Sequence, residues 1–352
     1  MSPMILNEAV ATIEDLVGNT PLIEVSITGV GTPIIFYLKL EMFNPGGSVK
    51  DRAAQYIISQ AEQHGLLSES SVLVEGSSGN FGLALSLFGC ARGYSVKIMV
   101  DPRTPNRTVD MIRTYGAEAV LIEQPDHLGK FQIPRMKAAM AITTVDPEAY
   151  MPYQWGNPWN PECHELFTGP EIWNELGQVD CLVAAVSTSG HLIGTARHMK
   201  HKNRDCSVVA VDGQGSVALG GKRGHHVITG LGSSWVPENL DIDLIDEAYW
   251  VADVDGISMC HWIAKHMGLL IGGSAGSVAF ICAKKALQSP GSVVVGIVAD
   301  GGERYLDSVY NADWLGKNQI ECWEDVNSMI HQLSSYTGVK PVITHTYREL
   351  LS

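Results

Sequence analysis

A lysine that follows a Pro-Gly-Gly turn and opens a helix is a candidate nucleophile. This chain places one in the run Asn44-Pro45-Gly46-Gly47-Ser48-Val49-Lys50-Asp51-Arg52. An apolar segment, Ile34 to Leu40, leads into the turn, and a helix-like stretch follows it. The free N–H groups and positive dipole end of a helix start disfavour an ammonium. Together with partial burial they lower its pKa and leave a reactive amine. Schiff-base formation is the chemistry that suits such a group.

Three Gly/Ser-rich turns could supply its partners. Gly76-Ser77-Ser78-Gly79-Asn80-Phe81-Gly82 lies between an apolar strand pattern and an apolar helix pattern. Ser187-Thr188-Ser189-Gly190-His191 lies between Leu182–Val186 and another helix pattern. Gly272-Gly273-Ser274-Ala275-Gly276-Ser277 follows Leu269-Leu270-Ile271, read as a strand, and precedes a helix over 278–287. Backbone amides at a helix start, with serine hydroxyls, bind carboxylates or phosphates. The third turn also satisfies Gly-x-Ser-x-Gly, the nucleophile elbow of α/β-hydrolases, with Asp300 and His331 or His345 in the required order. Its late position, with one strong strand after it, argues against that sheet, and a hydrolase leaves Lys50 and the other two turns without work.

The elements that must position these residues alternate along the chain. SVLVEG precedes FGLALSLFGCARGY, SVKIMVDP precedes TVDMIRTYGA, and CLVAAVS precedes GTARHMKHK; EAVLIE, SVVAVDG and SVVVGIVADGG add further strands. This is the pattern of a parallel α/β protein. Runs such as Val293 to Val298, apolar without alternation, imply burial on both faces. Ligands in open α/β sheets gather at the carboxyl ends of strands, where all four turns fall. Pro152 to Pro161 reads as a crossing between lobes. Weak helical patterns at Cys322 to Leu333 and after Tyr347 form a tail.

The chain has 352 residues, of which 45% are hydrophobic and 18% charged, enough for a large core and two lobes. Its net charge of −14 repels nucleic acid and anionic membranes, so neither is an expected partner. An anionic substrate would need local positive potential. No stretch is long and apolar enough for a membrane span, and the start lacks a basic-then-apolar leader, so a cytoplasmic protein is expected. Seven scattered cysteines and the histidines show no metal-ligand spacing, which predicts reduced thiols and no metal.

Together VGNTPLIEV, NPGGSVKDR, EGSSGNFGLAL, QWGNPWNPECHELFTGPEIW, STSGH, GLGSSWVPENLD, GGSAGS and GGERYL resemble the fold-type II pyridoxal-phosphate enzymes of the cysteine synthase and cystathionine β-synthase family, in family order through roughly residues 12–312. The resemblance implies two open, twisted, mostly parallel sheet lobes with pyridoxal 5'-phosphate between them. It implies a large cofactor domain from 1–43 and 156–320, a small mobile substrate domain at 44–155, a helical tail at 321–352, and a homodimer. Carried over by motif, Lys50 forms the Schiff base and Asn80 binds the ring hydroxyl. Ser187, Thr188, Ser189, Gly190 and His191 cradle the phosphate, and Ser274 faces the pyridine nitrogen. Ser77, Ser78, Asn80, Phe81 and Gln154 hold the substrate α-carboxylate. A hydroxyl opposite the ring nitrogen favours quick loss of a β leaving group, through an aminoacrylate intermediate, over transamination.

The phosphate loop departs from the family's usual Gly-Thr-Gly-Gly-Thr. VDPRTP, EQPDHLG, VDGQGSVALGG and LDSVYNADWL are similar to the diaminopropionate branch of siderophore biosynthesis. That branch joins small amino-acid substrates, O-phospho-L-serine and L-glutamate, into N-(2-amino-2-carboxyethyl)-L-glutamate. Arg135 matches its arginine near the incoming substrate, and Ser187 its loop serine. NPWNPECHELFTGPEIW and SSWVPENLD stay closer to ordinary cysteine synthases, and Trp155 and Trp235 fall near the expected pocket mouth. Sulfide therefore remains an alternative nucleophile, and acetate an alternative leaving group.

Overall fold

The computed structural model describes residues 10–29 and 31–343. Among the described residues, ten strands form two sheets. They are β1 (Leu22–Ile27), β2 (Ile34–Leu40), β3 (Val72–Gly76), β4 (Ser95–Val100), β5 (Glu118–Leu121), β6 (Ala149–Tyr150), β7 (Cys181–Ala185), β8 (Ser207–Gly213), β9 (Glu247–Val251) and β10 (Val294–Val298). The larger sheet runs β1-β2-β10-β7-β8-β9, and the smaller β5-β4-β3-β6. Only β1 is antiparallel, paired to β2; every other ladder is parallel.

Eleven α-helices are assigned among the described residues. They are α1 (Lys50–Gln63), α2 (Asn80–Ala91), α3 (Asn106–Thr114), α4 (Gln132–Val145), α5 (Trp159–Cys163), α6 (Gly169–Leu176), α7 (Gly190–Lys202), α8 (Asp253–Met267), α9 (Gly273–Gln288), α10 (Ala312–Lys317) and α11 (Val326–Ser335). None is long and apolar enough to cross a membrane. A π-helical turn, His164–Thr168, joins α5 to α6.

The strands without alternation are buried on both faces for a visible reason. In β10, Val294 and Val298 enter the core shared with α9, while Val295 and Ile297 enter the core shared with α7. Gly296 lets α9 approach: a Cβ there would stand 2.6 Å from Cys282 Sγ. The smaller sheet is likewise covered by α1 and α2 on one side and by α4 on the other.

Two sequence expectations need correction. Leu269–Ile271 is not a strand: Ile271 makes a single bridge to Gly301, because the chain turns at once into Gly272-Gly273. β9 was not anticipated, since Glu247-Ala-Tyr-Trp-Val251 mixes charged and apolar positions at a sheet edge. The tail pattern at Cys322 to Leu333 does contain α11, which buries Met329 and Leu333. The second tail pattern, after Tyr347, lies outside the described residues.

A buried ionic cluster fixes the start of α1. Arg52 is 3% exposed and meets Glu41 at 2.6 Å and Glu171 at 2.7 Å. Thr20 Oγ1 donates to Glu41 at 2.7 Å, and Asn44 Nδ2 donates to it at 2.9 Å. The cluster ties α1, α6 and the loop before Lys50 together.

Candidate active site

Lys50 is the first residue of α1. The turn before it is held from two sides. Gly46 N donates to Asp51 Oδ2 at 2.5 Å, and Arg304 donates to the Gly46 carbonyl. Gly47 has φ +84°, and a Cβ there would run into the Arg304 guanidinium, so both its conformation and its space demand glycine. Val49 N donates to Ala299 O at 2.8 Å, and Ser48 bridges Asp300. The lysine is thereby brought beside the carboxyl end of β10. Burial pushes its pKa down, opposed by the charges of Asp300 and Cys163. A lowered pKa means a larger share of free amine, the nucleophilic and basic form.

Asn80 opens α2 and is gripped at both ends of its amide. Its Nδ2 donates to Asp300 Oδ2 at 2.7 Å, and its Oδ1 accepts from Arg304. Tyr305 donates to the same Asp300 oxygen at 2.5 Å. Ser77 Oγ accepts from Gly82 N at 3.0 Å, so this hydroxyl caps the helix. Phe81 is 1% exposed with its ring in the small-sheet core, so only its backbone N–H can face a ligand. Gln154 O accepts from Asn160 and Asn239 at 2.7 and 2.9 Å, which ties that segment to α5 and to the loop before β9.

The second turn caps α7. Ser189 has φ +66°, a left-handed conformation that costs a non-glycine residue about 1–2 kcal/mol. The usual family loop carries glycine there, so the conformation is legible from the pattern and the strain is not. Thr188 Oγ1 accepts from Asn160 Nδ2 at 3.3 Å. Ser189 Oγ and His191 Nε2 are buried without hydrogen-bond partners. Burial, with Lys50 nearby, pushes His191 down to about 3, so its imidazole is neutral. Ser187 is partly exposed beside this cup. At the third turn Ser274 is 4% exposed in the first turn of α9. A Cβ on Gly230 would stand 3.8 Å from its hydroxyl.

A cavity of about 400 Å³ opens onto Ser78, Gly79 and Asn80. Arg103, Lys130, Arg135, Arg223 and Arg304 line it, with Asp101 as its one lining carboxylate. Arg135 is not a solvated helix arginine: it is 8% exposed, and its guanidinium lies 2.9 Å from Asp101. Its Nε makes no hydrogen bond. Glu75 lies near it, pushed up to about 7 by burial against backbone hydrogen bonds from Gly76, Gln154 and Tyr153.

The placement of Trp155 and Trp235 at the pocket mouth is corrected. They are 5% and 3% exposed, pack at 4.5 Å between ring centroids, and form a small core with Ile133 and Met136. The hydrolase alternative also fails to assemble. Asp300 is committed to Asn80 and Tyr305, His331 is exposed on α11, and His345 lies outside the described residues. Asp300 and Tyr305 carry no cofactor signal of their own in the sequence: Tyr305 lies within GGERYL and Asp300 directly before it. Arg103, Lys130 and Arg223 were missed, because single basic residues on separate loops carry no spacing signal.

Residues 13–300 match the family model described as pyridoxal-phosphate dependent enzyme. The chain belongs to that family. The enzyme is 38% identical over 307 residues to a probable cysteine synthase of Bacillus subtilis, an alignment covering 85% of this chain and 97% of the relative. Its fold resembles the crystal structure of cysteine synthase from Entamoeba histolytica, with TM-score 0.82 and 31% identity, covering 95% of this chain and 97% of that one. It also resembles the O-acetylserine dependent cystathionine β-synthase from Helicobacter pylori, with TM-score 0.79 and 32% identity, covering 86% and 99%. It is a β-replacement synthase that uses pyridoxal 5'-phosphate. The groups present suit that cofactor. Two unpartnered buried polar groups, Ser189 Oγ and His191 Nε2, sit at a helix start and would receive a phosphate there. Lys50 would supply the amine that an aldehyde needs, its pKa being lowered by burial.

Proposed function

We propose that this enzyme joins O-phospho-L-serine to L-glutamate, releasing phosphate and giving N-(2-amino-2-carboxyethyl)-L-glutamate. The cavity beside Asn80 carries the reading. Five cationic side chains and, among the described residues, one carboxylate line it, in a chain whose net charge is −14. Such a local reversal of potential suits a dianionic leaving group and a dicarboxylate nucleophile. Sulfide and acetate need no such concentration of guanidinium groups.

In this reading Lys50, Asn80, Ser274 and the loop Ser187–His191 hold the cofactor, which supplies an electron sink for charge developing at the substrate Cα. The amide cup over residues 77–81, with Gln154, holds the α-carboxylate and fixes the Cα–H bond. Lys50 Nζ takes the Cα proton as general base. Arg135 and its cationic neighbours receive the leaving phosphate and then the two carboxylates of glutamate. Closure of the lobe at 44–155 over the site excludes water.

The test is release of inorganic phosphate from O-phosphoserine. Phosphate should appear in proportion to added glutamate, and glutamine, which lacks the side-chain charge, should be a poor substitute. Release indifferent to glutamate would reject the reading. Arg135→Lys keeps Asp101 neutralised but loses the guanidinium fork. It should raise the KM for O-phosphoserine by roughly tenfold or more, with cofactor affinity unchanged; parallel losses of both would contradict the assigned role.

A second reading rests on the likeness to the Bacillus subtilis protein: a cysteine synthase, with sulfide as nucleophile. Efficient cysteine formation without any glutamate adduct would favour it.

A further inference from the structure

Asp300 stands at the centre of the site without a role. It is 2% exposed, yet only one of its two carboxylate oxygens is used. Oδ2 accepts from Asn80 Nδ2 at 2.7 Å and from Tyr305 at 2.5 Å. Oδ1 is buried and accepts no hydrogen bond. The backbone keeps room for it: a Cβ on Gly272 would collide with that oxygen. The bridge between Ser48 and Asp300 sets the carboxylate beside the segment that carries Lys50.

The groups acting on this carboxylate come from several elements. Lys50 belongs to α1, Asn80 to α2, and Arg304 and Tyr305 to the turn after β10. Cys260 of α8 and Tyr310 also feel its charge, but burial raises both, Cys260 to about 12, so each is neutral near pH 7. Tyr305 is likewise raised, by burial first and then by Asp300. Two cations remain. Arg304 directs its donors to Asn80 Oδ1 and the Gly46 carbonyl, and its charge acts on Asp300 together with that of Lys50. Lys50 makes no direct ion pair with the free oxygen, but it is the cation here that gains or loses a proton in the chemistry, and its charge acts on Asp300.

We propose that Asp300 is the counter-ion of Lys50 and the anchor of Asn80, a positioning residue for the proton-transfer step. The proposal rests on the reading of Lys50 as general base. In that step the substrate Cα–H bond breaks, its electron pair stays on carbon, and the proton goes to the neutral Lys50 amine. The ammonium so formed is buried, and a buried cation is costly unless a negative charge faces it. Burial raises the Asp300 carboxyl, and the hydrogen bonds of Tyr305 and Asn80 with the charges of Arg304 and Lys50 oppose that rise, so that Asp300 provides the facing charge. The same carboxylate orients the Asn80 amide, so the base and the residue that aligns its target share one support.

Asp300→Asn in the holoenzyme tests this. Losing the facing charge favours the neutral amine. The acid limb of the kcat–pH profile should then move down by about one pH unit or more, and plateau kcat should fall about tenfold or more. The visible band of the bound cofactor, titrated without substrate, should shift its midpoint in the same direction. Tyr305→Phe, which keeps the carboxylate, should not lower the limb. Asp300→Ser carries the same expectation as Asp300→Asn and serves if the amide variant fails to fold. An unmoved limb and midpoint, with cofactor and activity lost in parallel, would overturn the proposal. The profile is recorded with both O-acetylserine and O-phosphoserine, so it does not depend on which nucleophile is native. If neither serine ester reacts, the functional reading fails, while the band titration still decides on Asp300.

Discussion

Lys50→Ala is expected to leave a folded protein whose turnover falls by at least about 10²–10⁴-fold, the contribution of a positioned general base alone. The loss should be larger in practice, because the same side chain is the covalent anchor of the reading above. Folding should survive for a physical reason. Burial pushes the Lys50 pKa down against the charges of Asp300 and Cys163, so the folded state gains little from its charge. The turn before it is held by Asp51 and Arg304, neither of which needs the lysine. The visible band of the holoenzyme should be lost or displaced while circular dichroism stays that of the parent. A variant that retains both the band and the turnover would remove the lysine from the chemistry. A variant that unfolds would make it a structural residue.

Arg52→Leu is expected to destabilise the fold by about 3–5 kcal/mol, because it strands buried charge rather than removing it. Glu41 is 0% exposed and Glu171 is largely covered, and Arg52 makes close ion pairs with both. Thr20 and Asn44 would remain as donors to Glu41, which satisfies its lone pairs but not its charge. The thermal midpoint should drop by roughly 5–10 °C. Acid sensitivity should change as well. Burial alone would raise Glu171, but Arg52 and Lys39 pull it down to about 2. A depressed carboxylate stabilises fully above its unfolded value of 4.5 and loses that contribution as pH falls toward 2. In Arg52→Leu most of this dependence should vanish. Adding Glu41→Gln should recover part of the midpoint; no recovery would mean that packing, not charge, carries the cost.

Much of the fold was legible because buried parallel strands have a plain signature. Val293 to Val298 and Cys181 to Ala185 are apolar throughout because helices cover both faces. Edge strands such as β9 lack that constraint, and a short apolar run such as Leu269–Ile271 can serve a turn instead. The turns of the site were legible for a related reason. Positive φ and close approach restrict residue choice at Gly47, and amide cups demand Gly and Ser. What escaped was pairing at a distance. Asn80 and Asp300 are 220 positions apart, and no local pattern links them. The resemblance singled out Arg135, but its partner Asp101, at the end of another strand and 2.9 Å away, is marked by no local pattern. The cationic cavity is assembled from separate loops, so its charge exists only in the folded chain.

One competition decides the central claim. The holoenzyme is given O-phosphoserine and O-acetylserine together, with glutamate and sulfide both present, and the products are weighed by mass spectrometry as the reaction proceeds. The account predicts that the adduct of the serine three-carbon unit with the glutamate amine accumulates first, with O-phosphoserine consumed ahead of O-acetylserine. Cysteine as the dominant product, drawn mainly from O-acetylserine, would contradict it.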